Sequence, residues 1–195
     1  MTPSDINYLL LQHWITAYRA EGEKALPPFG LSKADADAIT AVKDITLRHW
    51  AATSIVLVQP RPGLLTALRA NDNPRVFSYI SKGRGPFFSP RLARLPHTAN
   101  SQLLDTWCRA AGDAVACRSY GLDAADLAAL SHVSETVLAR WSQLPIAVAV
   151  PKPGLLPALY GDNPTRLIPF LDFPPIEKLP ESAHALDQSG AVSRR

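Results

Sequence analysis

Apolar positions along the chain fall into two successive sets with one shared pattern. In the first, Ile6, Leu9, Leu10, Trp14 and Ala17 recur at helical spacing and predict an opening helix around Trp14. Phe29-Gly30-Leu31 then marks a turn. Ser32 can cap a second helix that reaches about Ala41, with Asp35 in a capping-box position. A tight turn near Val42 leads to a third helix carrying Leu47 and Trp50, with Asp44 as its candidate cap. The period then changes. Ile55 to Val58 is a short, β-branched run stopped by proline, and reads as a strand. Gly63-Leu64-Leu65 starts a last short helix, expected to end near Asn73-Pro74.

The second set repeats this order. A helix around Trp107 precedes the Tyr120-Gly121-Leu122 turn. Asp123 and Asp126 stand where Ser32 and Asp35 stood, on a helix reaching about Ser131. Ser134 is the candidate cap of the helix bearing Leu138 and Trp141. Ile146, Val148 and Val150 alternate with Ala147 and Ala149 as a strand, and Gly154-Leu155-Leu156 starts a helix expected to end near Asn163-Pro164. Phe29 to Leu68 aligns with Tyr120 to Leu159 without a gap, and LLQHW ending at Trp14 parallels LLDTW ending at Trp107. Rare residue types recurring in one register mark a tandem duplication. The expected organisation is a first module over 1–80, a connector over 81–97, a second module over 98–172 and a disordered tail over 173–195.

A module with one strand leaves that strand's amides and carbonyls without partners, which is costly when buried. The economical solution pairs the two strands with each other. The predicted fold is therefore mainly α, with two pseudo-symmetric helical modules whose single short strands pair antiparallel across a pseudo-two-fold axis. Ile55 and Leu57 are expected to meet Ile146 and Val148. The two tryptophans of each module read as core anchors.

Composition narrows the function. The chain has 195 residues, 47% of them hydrophobic, and a net charge of only +3. A core is affordable, and the charge is too small for a strong autonomous DNA binder. No run approaches a membrane span and no basic leader precedes an apolar segment, so a cytoplasmic protein with no membrane association is expected. Phosphate-binding loops, nucleophile elbows and HExxH patterns are absent from the sequence. Cys108, Cys117 and His132 are too few for a zinc site, and the five histidines keep no ligand spacing. No catalytic residue, metal or cofactor is expected; a polar pocket near Cys108 or His132 would favour a small-molecule binder.

The strongest motif is the helix-turn-helix pattern of the second module, DLAALSHVSETVLARW, in which Leu127, Leu130, Val133 and Leu138 fall at the core positions of such a pair. In DNA readers the second helix of such a pair enters the major groove. Its candidate contacts here are Lys43, Arg48 and His49 in the first module and Arg140 in the second, with Glu135, Thr136 and Ala139 also expected to face outward. A plain helical hairpin would have the same pattern. The stretch from Arg75 to Arg94 has five basic residues and no acid, so Lys82, Arg84, Arg91 and Arg94 are candidate phosphate contacts, or a solvated connector.

SDINYLLLQHW, the Gly-Leu turn, the helix pair, the strand SIVLV and the helix GLLTAL together resemble the FlhD family of flagellar transcriptional activators. The matching positions are Ile6 to Leu11, Gly30, Leu31, Ala38, Leu47 and Ile55 to Val58, with Leu103, Leu104, Gly121, Leu122, Ala129, Leu138 and Ile146 to Val150 in the second module. The resemblance implies a single-chain equivalent of an FlhD dimer. It further implies transcription regulation with an FlhC-type partner on promoter DNA, in contact with RNA polymerase. That family has one module per chain, and its C-terminal DNA-contacting segment has no match here. An adaptor or anti-activator that binds another regulator without touching DNA is the alternative.

Overall fold

The structure, a computed structural model, describes residues 2–52, 56–84, 89–113, 117, 119–161, 164–167 and 170. Ile55 and the segment 173–195 lie outside the described residues. The opening helix α1 (Pro3–Glu21) begins with a reciprocal cap. The Thr2 hydroxyl accepts the Asp5 N–H, and the Asp5 carboxylate accepts the Thr2 N–H. A 3-10 turn (Gly22–Ala25) leads into α2 (Leu26–Phe29), which Gly30 ends in the left-handed conformation. The helix pair α3 (Lys33–Ala41) and α4 (Asp44–Ala51) follows, then β1 (Val58–Pro60) and α5 (Leu64–Arg69). Next come α6 (Asn73–Arg84) and α7 (Pro90–Arg94). The second half holds α8 (His97–Ala110), α9 (Ala124–Leu130), α10 (Glu135–Ser142), β2 (Ala149–Pro151), α11 (Leu155–Tyr160) and α12 (Pro164–Leu167).

The architecture is mainly helical with one two-stranded antiparallel sheet, β1 against β2. Both expected capping boxes form, Ser32 with Asp35 and Asp123 with Asp126. The caps expected for the following helices do not. Lys43 occupies the cap position of α4, and Asp44 instead reaches forward to Arg48; Ser134 stands at the cap of α10 without a side-chain bond. Asn73-Pro74 opens the twelve-residue α6 rather than a coil. Proline is favourable in a first helical turn, where its missing N–H has no acceptor to lose. Within 81–97, Ser89 and Pro90 likewise start α7, the Ser89 hydroxyl accepting the Leu92 N–H.

The halves do meet through their strands, but further along the chain than the apolar runs suggest. Val58 faces Pro151, Gln59 faces Val150 and Pro60 faces Ala149. Leu57 and Val148 flank the ladder: the Lys152 N–H donates to the Leu57 carbonyl, and the Arg61 N–H to that of Val148. Ile146 does not pair at all. Its carbonyl accepts the Asn100 amide, and its side chain packs against Gly83 of α6. The reason lies in helices α1 and α8. Asn7 and Asn100, both fully buried, accept the N–H groups of Leu57 and Val148 through their side-chain oxygens, so these two amides bond within their own halves, while the Ala147 N–H crosses to the Pro28 carbonyl. The prolines also fit the shifted register. Antiparallel ladders alternate bonded and non-bonded pairs, and the flanking bonds put Pro60 and Pro151 in non-bonded pairs, where no N–H is needed.

Packing across the seam is reciprocal. Helix α5 of the first half packs on α9 of the second, and α11 of the second packs on α3 of the first. Within the halves, α4 lies on α1 and α10 on α8. A single apolar cluster therefore runs through both halves. It includes Trp14, Trp50, Trp107 and Trp141, all buried, together with Leu64, Leu65, Leu155 and Leu156 from the two GLL helices. None of the described helices is long and apolar enough to cross a membrane.

Candidate functional site: the helix pairs and the seam

In α4 the burial of Leu47 and Trp50 against α1 turns Lys43, Ile45, Arg48 and His49 outward, all exposed. Arg48 is not an isolated cation. Its Nε lies 2.9 Å from Asp44 Oδ2 one turn back, and that neighbour holds the guanidinium firmly charged. In α10 the exposed residues are Glu135, Thr136, Ala139 and Arg140, as the sequence suggests. With its cap, α4 thus presents three bases beside one acid, and α10 one base beside one acid.

Lys82 and Arg84 are exposed at the end of α6, and Arg91 and Arg94 on α7. Arg91 Nε sits 3.1 Å from Glu21 Oε1 at the end of α1, which ties α7 to the first half. Two of the eight candidate phosphate contacts, Arg48 and Arg91, therefore already face a carboxylate. The Arg48–Asp44 pair is exposed and weak, so a phosphate can displace its acid; the Glu21 partner of Arg91 is mostly covered.

The seam gathers Arg61 with the two aspartates expected in capping boxes, Asp35 and Asp126. Arg61, in the Pro60-Arg61-Pro62-Gly63 turn between β1 and α5, is drawn inward and donates from Nε to the Ala147 carbonyl (3.0 Å) and from Nη2 to the Pro28 carbonyl (3.2 Å). Burial holds its pKa below the usual arginine value. Asp35 and Asp126 are buried in their capping boxes, though they differ in what their caps supply. The Ser32 hydroxyl donates to Asp35 Oδ2 at 2.7 Å. At the matching place Asp123 offers a second carboxylate. Burial, and then the Asp123 charge, push the Asp126 carboxyl up to about 6, against the pull of the Asp123 N–H.

This difference has a measurable consequence. A carboxyl whose folded pKa exceeds its unfolded value of 3.8 favours the fold only while protonated. Its contribution is complete below pH 3.8 and is lost as pH rises through about 6. The loss is on the order of 3 kcal/mol. Asp123→Ser, which restores the donor seen at Ser32, is expected to flatten this dependence and raise stability at neutral pH by about 1 kcal/mol. Urea midpoints of both proteins at pH 5 and 7.5 decide it. Parallel pH slopes would show that Asp123 does not set the titration.

Cys108 and Cys117 are free and separately engaged, with the Leu130 and Ala110 carbonyls respectively. His132 sits exposed in the α9–α10 turn with φ 56°. Among the described residues no group of acidic, histidine or cysteine side chains could hold a metal. A cavity among the described residues lies instead at the seam, lined by neither Cys108 nor His132. Asn7, Asn100 and Arg61 are the residues the sequence reading underrated. The available signal was polarity in an apolar setting: Asn7 and Asn100 each precede a Leu-Leu pair by three residues on a buried helix face.

No protein family, no curated protein and no solved structure matches the chain in sequence or fold.

Proposed function

We propose that the protein is a transcription regulator that works as a single-chain equivalent of an FlhD-type dimer, in complex with an FlhC-like regulatory partner on promoter DNA and within reach of RNA polymerase. The observation that carries this reading is the helix pair α3–α4. Its second helix is anchored on α1 by Leu47 and Trp50 and turns Lys43, Arg48 and His49 to solvent. A helix held by one face, with bases on the other, suits docking on a phosphate backbone. The modest net charge suits a subunit whose affinity is completed by a partner.

Fluorescence anisotropy of the full chain with labelled duplex DNA tests this at low and physiological salt. Affinity is expected to fall steeply with salt, and the Lys43→Ala/Arg48→Ala/His49→Ala variant to lose about tenfold on every sequence. Neutralising Lys82, Arg84, Arg91 and Arg94 together measures the contribution of α6 and α7. DNA affinity untouched by both sets removes direct DNA contact from the reading.

The second reading is an adaptor that binds another regulator without DNA. It is favoured by Ile45, 64% exposed on α4, and by the acids already paired with Arg48 and Arg91. It predicts no shift of any duplex by the pure chain.

A further inference from the structure

A cavity of about 400 Å³ opens on the seam between the halves. Ser32 and Asp35 at the start of α3 form one wall and Gln59 and Arg61 a second. Val150 and Pro153 of the other half close it. Two of the polar groups on its walls are incomplete. Asp35 is 5% exposed, and its Oδ2 is satisfied by the Ser32 N–H and hydroxyl, while Oδ1 has no hydrogen-bond partner and is closed to solvent, so the carboxylate must turn toward the cavity to meet a ligand. Among the described residues only Trp14 Nε1 shares that condition. Arg61 is the counterpart of opposite sign. Its guanidinium reaches two carbonyls and, among the described residues, no carboxylate. With five N–H donors, it retains capacity for a carboxylate. A half-buried cation without an anion, and a buried carboxyl oxygen without a donor, are each costly in isolation.

We infer that the seam cavity binds a small zwitterion of the amino-acid or dipeptide class, its carboxylate on Arg61, its ammonium on Asp35 Oδ1 and its apolar body against Val150 and Pro153. One molecule completes both groups at once. The lining has the composition of a ligand site, with apolar walls and a few polar groups that fix orientation, and the volume suits one or two amino-acid residues. The duplication gives the site its asymmetry. Where the first half supplies Ser32, Gln59 and Arg61, the second supplies Asp123, Val150 and Lys152, which offer one hydroxyl and one amide fewer. Because the walls come from both halves, an occupant bridges them. The inference does not depend on DNA binding.

The test is a titration of the isotopically labelled full chain, followed by NMR, with L-leucine and glycyl-L-leucine as probes. Two analogues serve as controls: 4-methylpentanoate, which lacks the amine, and leucinamide, which lacks the carboxylate. Saturable shifts at the amides of Gly30, Gln59 and Gly154 are expected from at least one zwitterion, with both analogues at least about tenfold weaker. Asp35→Asn, which keeps the shape and loses the charge, is expected to weaken the zwitterion by a similar factor. The unmodified protein alone decides the matter if that variant fails to fold. Absence of saturable shifts from either zwitterion, equal binding of an analogue, or shifts that map away from the seam each overturn the assignment.

Discussion

Asn100→Ala is expected to destabilise the protein by about 3 kcal/mol, a fall in melting temperature of ~10 °C for a chain of this size. The Asn100 oxygen accepts the Val148 N–H at 2.9 Å, and its amide donates to the Ile146 carbonyl at 2.9 Å and less closely to those of Leu144 and Ser142. Truncation leaves these buried groups unsatisfied, and each such group costs about 1–3 kcal/mol. The loss falls at the entry to β2, so it also loosens the bond from Arg61 to Val148 that flanks the ladder. Thermal unfolding of the purified variant measures the effect. A fall of less than about 1 kcal/mol would mean that the strand entry is held by its packing and not by this side chain.

Gly30→Ala is expected to cost a similar amount, about 3 kcal/mol, for two separate reasons. Gly30 has φ 66°, in the region that a side chain strains. An added Cβ would also lie 2.6 Å from Val150 Cγ1 and 3.3 Å from Val150 Cβ, and rotation of that side chain does not move its Cβ. Gly154 supplies the control. It has φ 77° in the same left-handed region, but nothing lies within 4 Å of its notional Cβ, so Gly154→Ala should show only the backbone strain, about 1 kcal/mol. Combining Gly30→Ala with Val150→Ala should recover part of the loss, and a double-mutant cycle from denaturant melts isolates that part. Strict additivity would refute the steric contribution.

The elements that local chemistry decides could be read from the chain. The capping boxes at Ser32 and Asp123 depend on residues three positions apart, and both form where expected. The helices around Trp14 and Trp107 follow from apolar spacing, and the antiparallel meeting of one strand from each half follows from backbone satisfaction. What escaped was set by distant partners. Which residues of each apolar run enter the ladder depends on Asn7 and Asn100, which lie 50 and 48 positions from the amides they bind. An apolar run advertises burial but does not say where its hydrogen bonds go. Helix α6 escaped because Asn73-Pro74 reads equally well as a stop or a start, and the packing of its Gly83 against Ile146 involves the other half. At the candidate site, the outward positions of Lys43, Arg48, His49 and Arg140 follow from helix periodicity. The acid facing Arg91 comes from another element, and the inward turn of Arg61 comes from tertiary packing. Neither is visible in the surrounding sequence.

Reciprocal packing of the GLL helices has a further consequence. Two separate identical chains clasped in this way would have to carry every substitution twice, once on each side of the clasp. Joining them into one polypeptide removes that obligation. A serine opposite an aspartate, a glutamine opposite a valine, or three bases opposite one can each persist without a mirror copy, and the molecule acquires a distinguishable left and right.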